Sequence, residues 1–481
     1  MDDTSKRSIF VLLTGHWVSM LGVALVTTAG FSWLFVLPIE VRGNTSNPYI
    51  GIVVFILIPI IFVLGLTLIA LGILLARRRI VSEEQQLMTA GDRRALIRKL
   101  AIFFAVTTAA NVVIGTQGTY RAVKHMETPQ FCGQSCHVMT PEFMAHQNSP
   151  HAKVECVECH VAPGAVGWVK SKEGGTRQFM DTVFKRVHYP IESAMESNRL
   201  IPARETCERC HWPQMFDAAK LRVIFHFNND AANTQTRTVL MMHTGGGTLG
   251  GIHGKHFGPG VEINYAAVDA NRQTIPWVEY RNRTTGETQT FLADGSTTKS
   301  VAGLRRYQMQ CVDCHNRPTH TFELPERAVD NAMGLGEISP TLPFIKKKAV
   351  ELLKTKYTSN DEASRTIPEA LTRYYQQSNP VMLAQRTQDV DNAGRQIAAI
   401  YDRNVFPDLK VTWGTYPNNL GHTDFTGCFR CHDGSHNTAD KKASITQDCN
   451  ACHEPIAIEE TNPAVLKTLG LDDRITNLQK Q

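Results

Sequence analysis

Twelve cysteines, all in six close pairs, constrain this 481-residue chain more than any other feature. The pairs are Cys132/Cys136, Cys156/Cys159, Cys207/Cys210, Cys311/Cys314, Cys428/Cys431 and Cys449/Cys452. A histidine follows each at once: His137, His160, His211, His315, His432 and His453. Five pairs read C-x-x-C-H, the pattern of c-type haem attachment. The first, in "FCGQSCHVM", reads C-x-x-x-C-H. Two thiols that add to the two vinyl groups of one porphyrin must lie about one turn apart, and the next residue then turns its imidazole to the iron. Structural zinc and disulfides also use paired cysteines, but neither requires a histidine after all six pairs. The sequence therefore predicts six covalently bound haem c groups. Porphyrins then form much of the core, so the haem-bearing part is expected to be mainly α with much irregular structure.

Bacteria attach haem covalently outside the cytoplasm, so the haem domain is expected to be periplasmic. The formal net charge of +5 gives no case for nucleic-acid binding. Residues 1–118 read as a membrane anchor. Ile9 to Pro38 and Tyr49 to Ala76 carry no charge, and Leu100 to Gly118 is a third apolar stretch. A helix needs roughly 20 apolar residues to cross the hydrocarbon core, which predicts three transmembrane helices at about 9–38, 49–76 and 100–118. Arg77, Arg78, Arg79, Arg93, Arg94, Arg98 and Lys99 lie between the second and third, whereas the first loop has only Arg42. Basic loops stay inside. The N-terminus is thus expected in the cytoplasm and everything after the third span in the periplasm, where the cysteines need to be. His16 lies within the first span. A b-type haem would need two axial histidines there and the spans offer one, so a structural or interfacial role is favoured.

Beyond the anchor the chain divides by pattern. Residues 119–215 hold three haem motifs. Residues 216–305 hold none and alternate apolar with polar residues ("LRVIFHFNND", "TRTVLMM", "GVEINYAAVD"), which predicts a β-rich insertion. Residues 306–401 open with the fourth motif and then read as helix from about Pro325 to Tyr401. Residues 402–481 carry two motifs and a tail. The glycine run "HTGGGTLGGIHGKHFGPG" lacks the Gly-Lys-Ser/Thr ending of a phosphate loop. It reads instead as a loop closely approaching haem, with His243, His253 and His256 as candidate ligands. The sixth ligand of each iron sets its potential and reactivity. His146, His151, His188, His320 and His422 are the leading distal candidates, with His256 in reserve. His320 is too near its own motif to cap that haem easily and is assigned to a neighbour.

The order of a membrane span, then "FCGQSCHVM", then "SPHAKVECVECHVAPGAVGWVKSKEGGTRQ" resembles the NapC/NirT/NrfH family of membrane-anchored quinol dehydrogenases. The close resemblance covers roughly residues 105–215, and the remainder is similar to extended inner-membrane cytochromes of metal-respiring bacteria. The resemblance implies that the first haem lies at the membrane face beside a quinol site, with Met139 matching the methionine that follows the family's first motif. It also implies that a lysine after the second motif serves quinol. Lys170 and Lys172 match that position, and Asp181 is a further candidate. The family's small members have one span and four haems; the three spans, six motifs and extra residue here are departures, the last of which makes Met139 a rival to His137 at the first iron. The reading is an inner-membrane hexahaem cytochrome that takes electrons from the quinol pool, with menaquinol the expected donor, and gives them to periplasmic cytochromes or a reductase, as a homo- or hetero-oligomer. The alternatives are a terminal reductase of nitrite or a sulfur oxyanion, and a subunit of a larger respiratory complex without its own quinol site. A pyridine haemochrome assay with intact mass should find six haems per chain; five would show that the stretched motif is not loaded.

Overall fold

The computed structural model describes residues 57–79, 120–135, 137–162, 164–193, 201–212, 218–246 and 250–471, with parts of 17–30 and positions 98 and 117. The chain forms two compact units, Met1–His137 and Val138–Gln481.

In the first unit, helix α1 (Ile58–Arg79) contains one stretch, Ile58–Leu75, long and apolar enough to cross a membrane. Most of its side chains are not buried by protein, as suits a lipid-facing helix. The expected start of this span, 49, lies outside the described residues. The described positions of 17–30 are helical too. There the two helices meet backbone to backbone: a Cβ on Gly72 would fall 2.3 Å from Ser19 N, and one on Gly22 would fall 2.6 Å from Gly65 O. Small residues permit the close approach that packs helices where lipid removes the hydrophobic drive. The third expected span, 100–118, lies almost wholly outside the described residues, as does much of the first, 9–38; among the described residues one full span is present.

The second unit has a helical core. Helices α3 (Pro325–Gly334), α4 (Ile345–Lys354), α5 (Asn360–Ser378) and α6 (Thr387–Asn404) follow α2 (Gly164–Val183) in the chain. Ser359 caps α5 by accepting from Glu362 N at 3.1 Å, while Glu362 accepts from Thr358 N at 2.6 Å, so early amide donors are satisfied. Its buried residues Ala363, Ile367, Leu371 and Tyr375 recur every fourth position, which makes one apolar stripe. That stripe meets Val390, Ala393, Ile397 and Tyr401 of α6.

The unit also holds two antiparallel sheets, the first of which packs on this core through Phe225 and Phe227. One has the order β1-β2-β7, with β1 at Lys220–Phe227, β2 at Gln235–Met242 and β7 at His453–Glu460. The other has the order β5-β4-β3-β6, from β3 (Val261–Ala266), β4 (Trp277–Asn282), β5 (Thr288–Leu292) and β6 (Arg306–Gln308). The alternating stretches are therefore strands. They do not form one self-contained insertion, because β2 pairs with β7 near the C-terminus, in a register that sets Val239 opposite Ala457. β1 is tied to the helices by a buried pair: Asp330 accepts from Phe227 N at 3.0 Å and from Lys346 Nζ at 2.6 Å. Replacing Leu371 by Ala should cost about 2–5 kcal/mol, read as a lower denaturant midpoint by circular dichroism. Val381→Ala, at a position 67% exposed, should change stability by less than about 0.5 kcal/mol.

Candidate haem-ligating site

Every regular motif begins on a single helical turn. Cys156–His160 and Cys311–Cys314 are α-helical, while Cys207–Arg209, Gly427–Arg430 and Cys449–Ala451 are 3-10 turns. Within them Cys210 N donates to Cys207 O at 3.1 Å, and His315 N to Cys311 O at 2.8 Å. A turn of this kind puts residues i and i+3 on one side, so both thiols face the same way. In the stretched motif Cys132 lies in the helix Pro129–Gln134, capped by Thr128, and His137–Met139 form a 3-10 turn. Cys136 lies outside the described residues. Residues i and i+4 of a helix also share a face, which is a physical route for tolerating the extra residue. No disulfide joins the described cysteines. Nor do the described residues gather three or more His, Cys, Asp or Glu in a metal-binding group, as structural zinc demands.

Each regular motif's histidine faces a second imidazole. Ring centroids are 6.3 Å apart for His160 and His320, 5.9 Å for His211 and His151, and 6.3 Å for His315 and His253. They are 5.9 Å apart for His432 and His256, and 6.1 Å for His453 and His422. Metal–imidazole bonds of about 2 Å on opposite sides of one metal ion set two centroids about 6 Å apart, so these donor pairs fit an iron bound from both sides.

The outer nitrogens are held. Nδ1–H of His320 donates to Glu142 O (2.9 Å), that of His151 to Pro318 O (3.3 Å) and that of His253 to Gly245 O (3.2 Å). His256 donates likewise to Ile252 O and His432 to Thr446 O, both at 2.7 Å. A carbonyl partner at Nδ1 fixes the tautomer that leaves the Nε2 lone pair for a metal. Burial also pushes the His320 ring down to about 3, with the facing His160 adding to the effect; burial lowers His160 and His256 as well. These rings are neutral at neutral pH, the state in which imidazole binds a metal.

The glycine run supplies two of the five partners. Helix Gly251–Phe257 carries His253 and His256, which are i and i+3 and turn to the fourth and fifth motifs. The loop before it needs glycine: Gly245 has φ +50°, and a Cβ there would lie 2.1 Å from Gly250 O. The expected close loop is thus a short helix behind a tight turn. His151, His320, His422 and His256 were anticipated as distal residues and each meets a motif histidine. His253, a candidate ligand from the glycine run, also meets one. His146 and His188 do not meet one. His146 lies 6.4 Å from the His320 ring, yet its Nε2–H donates to Val154 O at 2.9 Å and its Nδ1 faces Gln147 Nε2 at 3.3 Å, so both nitrogens are occupied. His188 pairs with no ring among the described residues.

Consecutive motifs touch. Arg209, inside the third motif, pairs with Glu158 inside the second at 2.9 Å. Gln310, just before the fourth, accepts from Ala203 N ahead of the third at 2.9 Å. Arg430, inside the fifth, donates to Asp313 O inside the fourth at 2.6 Å. His422, which faces the sixth motif's histidine, stacks 4.2 Å from Phe429 inside the fifth. The five regular motifs therefore stand in series, in sequence order.

The lysines and Asp181 sit on α2. Lys170 is exposed, Lys172 is half-buried with Nζ 5.3 Å from the Trp168 ring centroid, and Asp181 is half-buried. Residues two apart on a helix point about 200° away from each other, so Lys170 and Lys172 lie on different sides. Asp181 is nine residues beyond Lys172, about half a turn round the helix. The three do not form one cluster. Between the two lysines runs an exposed arc in which Val166, Val169, Met180 and Val183 are interspersed with the polar Glu173, Thr176 and Arg177.

The NapC/NirT cytochrome c family, N-terminal region, matches residues 95–244. The chain is also 38% identical to the cytochrome c-type protein ImcH of Geobacter sulfurreducens over 453 residues, which is 92% of this chain and 89% of that protein. No solved structure matches. Replacing His256 by Met should leave the haem count unchanged and convert one bis-histidine signal to a histidine–methionine signal in electron paramagnetic resonance and near-infrared dichroism. His146→Met should leave those spectra as they are.

Proposed function

The chain belongs to the NapC/NirT cytochrome c family, as a membrane-associated, ImcH-type electron-transfer cytochrome with covalently bound haem c, and from that premise we propose that it oxidises quinol at the membrane and delivers the electrons to a periplasmic acceptor. The bound haems, six by motif count, supply the one-electron chemistry. The twelve cysteines hold them, and His137, His160, His211, His315, His432 and His453 are the proximal ligands. His320, His151, His253, His256 and His422 are the distal ligands of the second to sixth. Met139 remains the rival ligand at the first.

The observation that carries this reading is the series of contacts that joins the second to sixth motifs in order, with an imidazole pair at every regular motif. Such a series suits transfer over distance. It suits a terminal reductase less well, because a reductase needs an iron with one open position for nitrite or a sulfur oxyanion, and each of the five pairs fills both. In this reading the haem-bearing unit is periplasmic, the chain is anchored in the inner membrane by several spans, and residues 119–215 form the quinol-side domain.

The exposed arc of α2 supports a membrane-facing role for this helix, since exposed apolar residues flanked by lysines suit the boundary between lipid and water. A lysine ammonium there can donate to a quinol oxygen and stabilise the anion formed as a proton leaves. A charge-assisted hydrogen bond of this kind is worth about 1.5–3 kcal/mol, so its loss should slow quinol oxidation about tenfold or more. The variant K170M/K172M should keep its haems and its dithionite-reduced spectrum yet lose that much menaquinol-driven reduction. Because the two lysines lie on different sides of α2, one single variant should account for nearly all the loss. Parental rates in both single variants and the double would remove the lysines from the site and turn attention to Asp181 and the residues beside Met139.

A further inference from the structure

Two of the motif contacts repeat one design. The second and fourth motifs carry an acidic residue just before their second cysteine, Glu158 and Asp313; the third and fifth carry arginine there, Arg209 and Arg430. In each case the later motif's arginine reaches the earlier motif. The two contacts differ in burial and in charge balance. Arg209 and Glu158 are about half exposed, with side-chain exposures of 52% and 50%, and they neutralise each other. Solvent screens such a pair.

Arg430 is only 9% exposed. Its guanidinium donates to three carbonyls: Gly427 O at 2.9 Å, Arg272 O at 2.9 Å and Asp313 O at 2.6 Å. No carboxylate pairs with it among the described residues. The nearby Asp313 carboxylate is already engaged. It accepts from Arg272 Nη1 at 2.8 Å, from Gln310 N at 2.7 Å and from the buried Tyr265 hydroxyl. The Asp313 carboxylate is thus held by Arg272, and the charge on Arg430 is left to its carbonyl partners. Carbonyl dipoles solvate that charge and hold it where desolvation would otherwise be costly.

We propose that Arg430 is a positioning and tuning residue: a buried cation, solvated by carbonyls and not paired with a carboxylate among the described residues, fixed between the attachment turns of the fourth and fifth motifs, that raises the reduction potentials of the haems held there. This rests on the haem loading argued above. Reduction removes one positive charge from an iron, so a nearby fixed cation favours the reduced form. The thioether edge of a porphyrin is the one remote from its propionates, so those carboxylates are badly placed to cancel a charge beside the cysteines. A raised pair in the middle of the series would draw electrons off the quinol side and hold them there.

The test is a spectroelectrochemical titration of the full-length protein in detergent, after a pyridine haemochrome count. Arg430→Gln, with the parental haem count, should move a component of one or two haems to lower potential and leave the rest in place. Arg430→Lys, which keeps the charge, should restore most of the parental titration. Arg209→Gln should titrate as the parent does. Asp313→Asn, which removes an anion and leaves Arg272 and Arg430 charged, should move the same component the opposite way; it keeps the proposal open to failure if R430Q loses haem. A parental titration in fully loaded R430Q or D313N would overturn the proposal. So would an equal downward shift in R430K, which would assign the effect to packing. A reduced haem count in the unmutated protein would instead sink the loading on which the proposal rests.

Discussion

An iron held by two imidazoles needs them about 6 Å apart, ring to ring, and much of the second unit is arranged so that five pairs meet that distance. The partners come from far along the chain: His320 faces His160, His151 faces His211, and His253 and His256 face His315 and His432. Holding them takes further long-range bonds. His320 donates to Glu142 O while His151 donates to Pro318 O, so two segments about 170 residues apart in sequence are laced together by the backbone partners of two ligating rings. The same bonds that aim the rings thus set the path of the chain around them.

The apolar core lies elsewhere. The largest buried cluster runs from Phe227 through Ala328 to Val405, and no haem motif falls between His315 and Cys428. Helices α3 to α6 can bury one another without help from a porphyrin, and they give β1 and β2 a firm base through Asp330, Lys346 and Asn233. Asn233 Nδ2 donates to Leu342 O at 2.7 Å and its Oδ1 accepts from Lys346 N at 3.0 Å. The motif-bearing segments have smaller clusters, and polar contacts between motifs supply much of their order. Charges placed inside the motifs therefore bear on both assembly and redox tuning.

Features set by local chemistry were legible in the sequence. The six motifs could be read from spacing alone, α5 and α6 from apolar residues at helical intervals, and β1 to β5 from alternation. Distal partners follow no spacing rule, because tertiary packing chooses them. His320 was assigned to a neighbour because it is too near its own motif, and that reasoning agrees with its meeting His160. His146 looked equally suitable, but its ring is spent on Val154 O. The pairing of β2 with β7, across about 200 residues, had no local signal. Lys170 and Lys172 did carry one that was missed: read as helix, a spacing of two already sets them on different sides. The charged residues inside the motifs, Glu158, Arg209, Asp313 and Arg430, were also visible, but their pairing needed the fold.

The central claim is that five irons sit between five named pairs of imidazoles. Single-particle cryo-electron microscopy of the haem-loaded protein in a lipid nanodisc tests it most directly. The account predicts iron density between His160 and His320, His211 and His151, His315 and His253, His432 and His256, and His453 and His422. An iron of these five bound by His146 or His188, or carrying only its motif histidine, would contradict it.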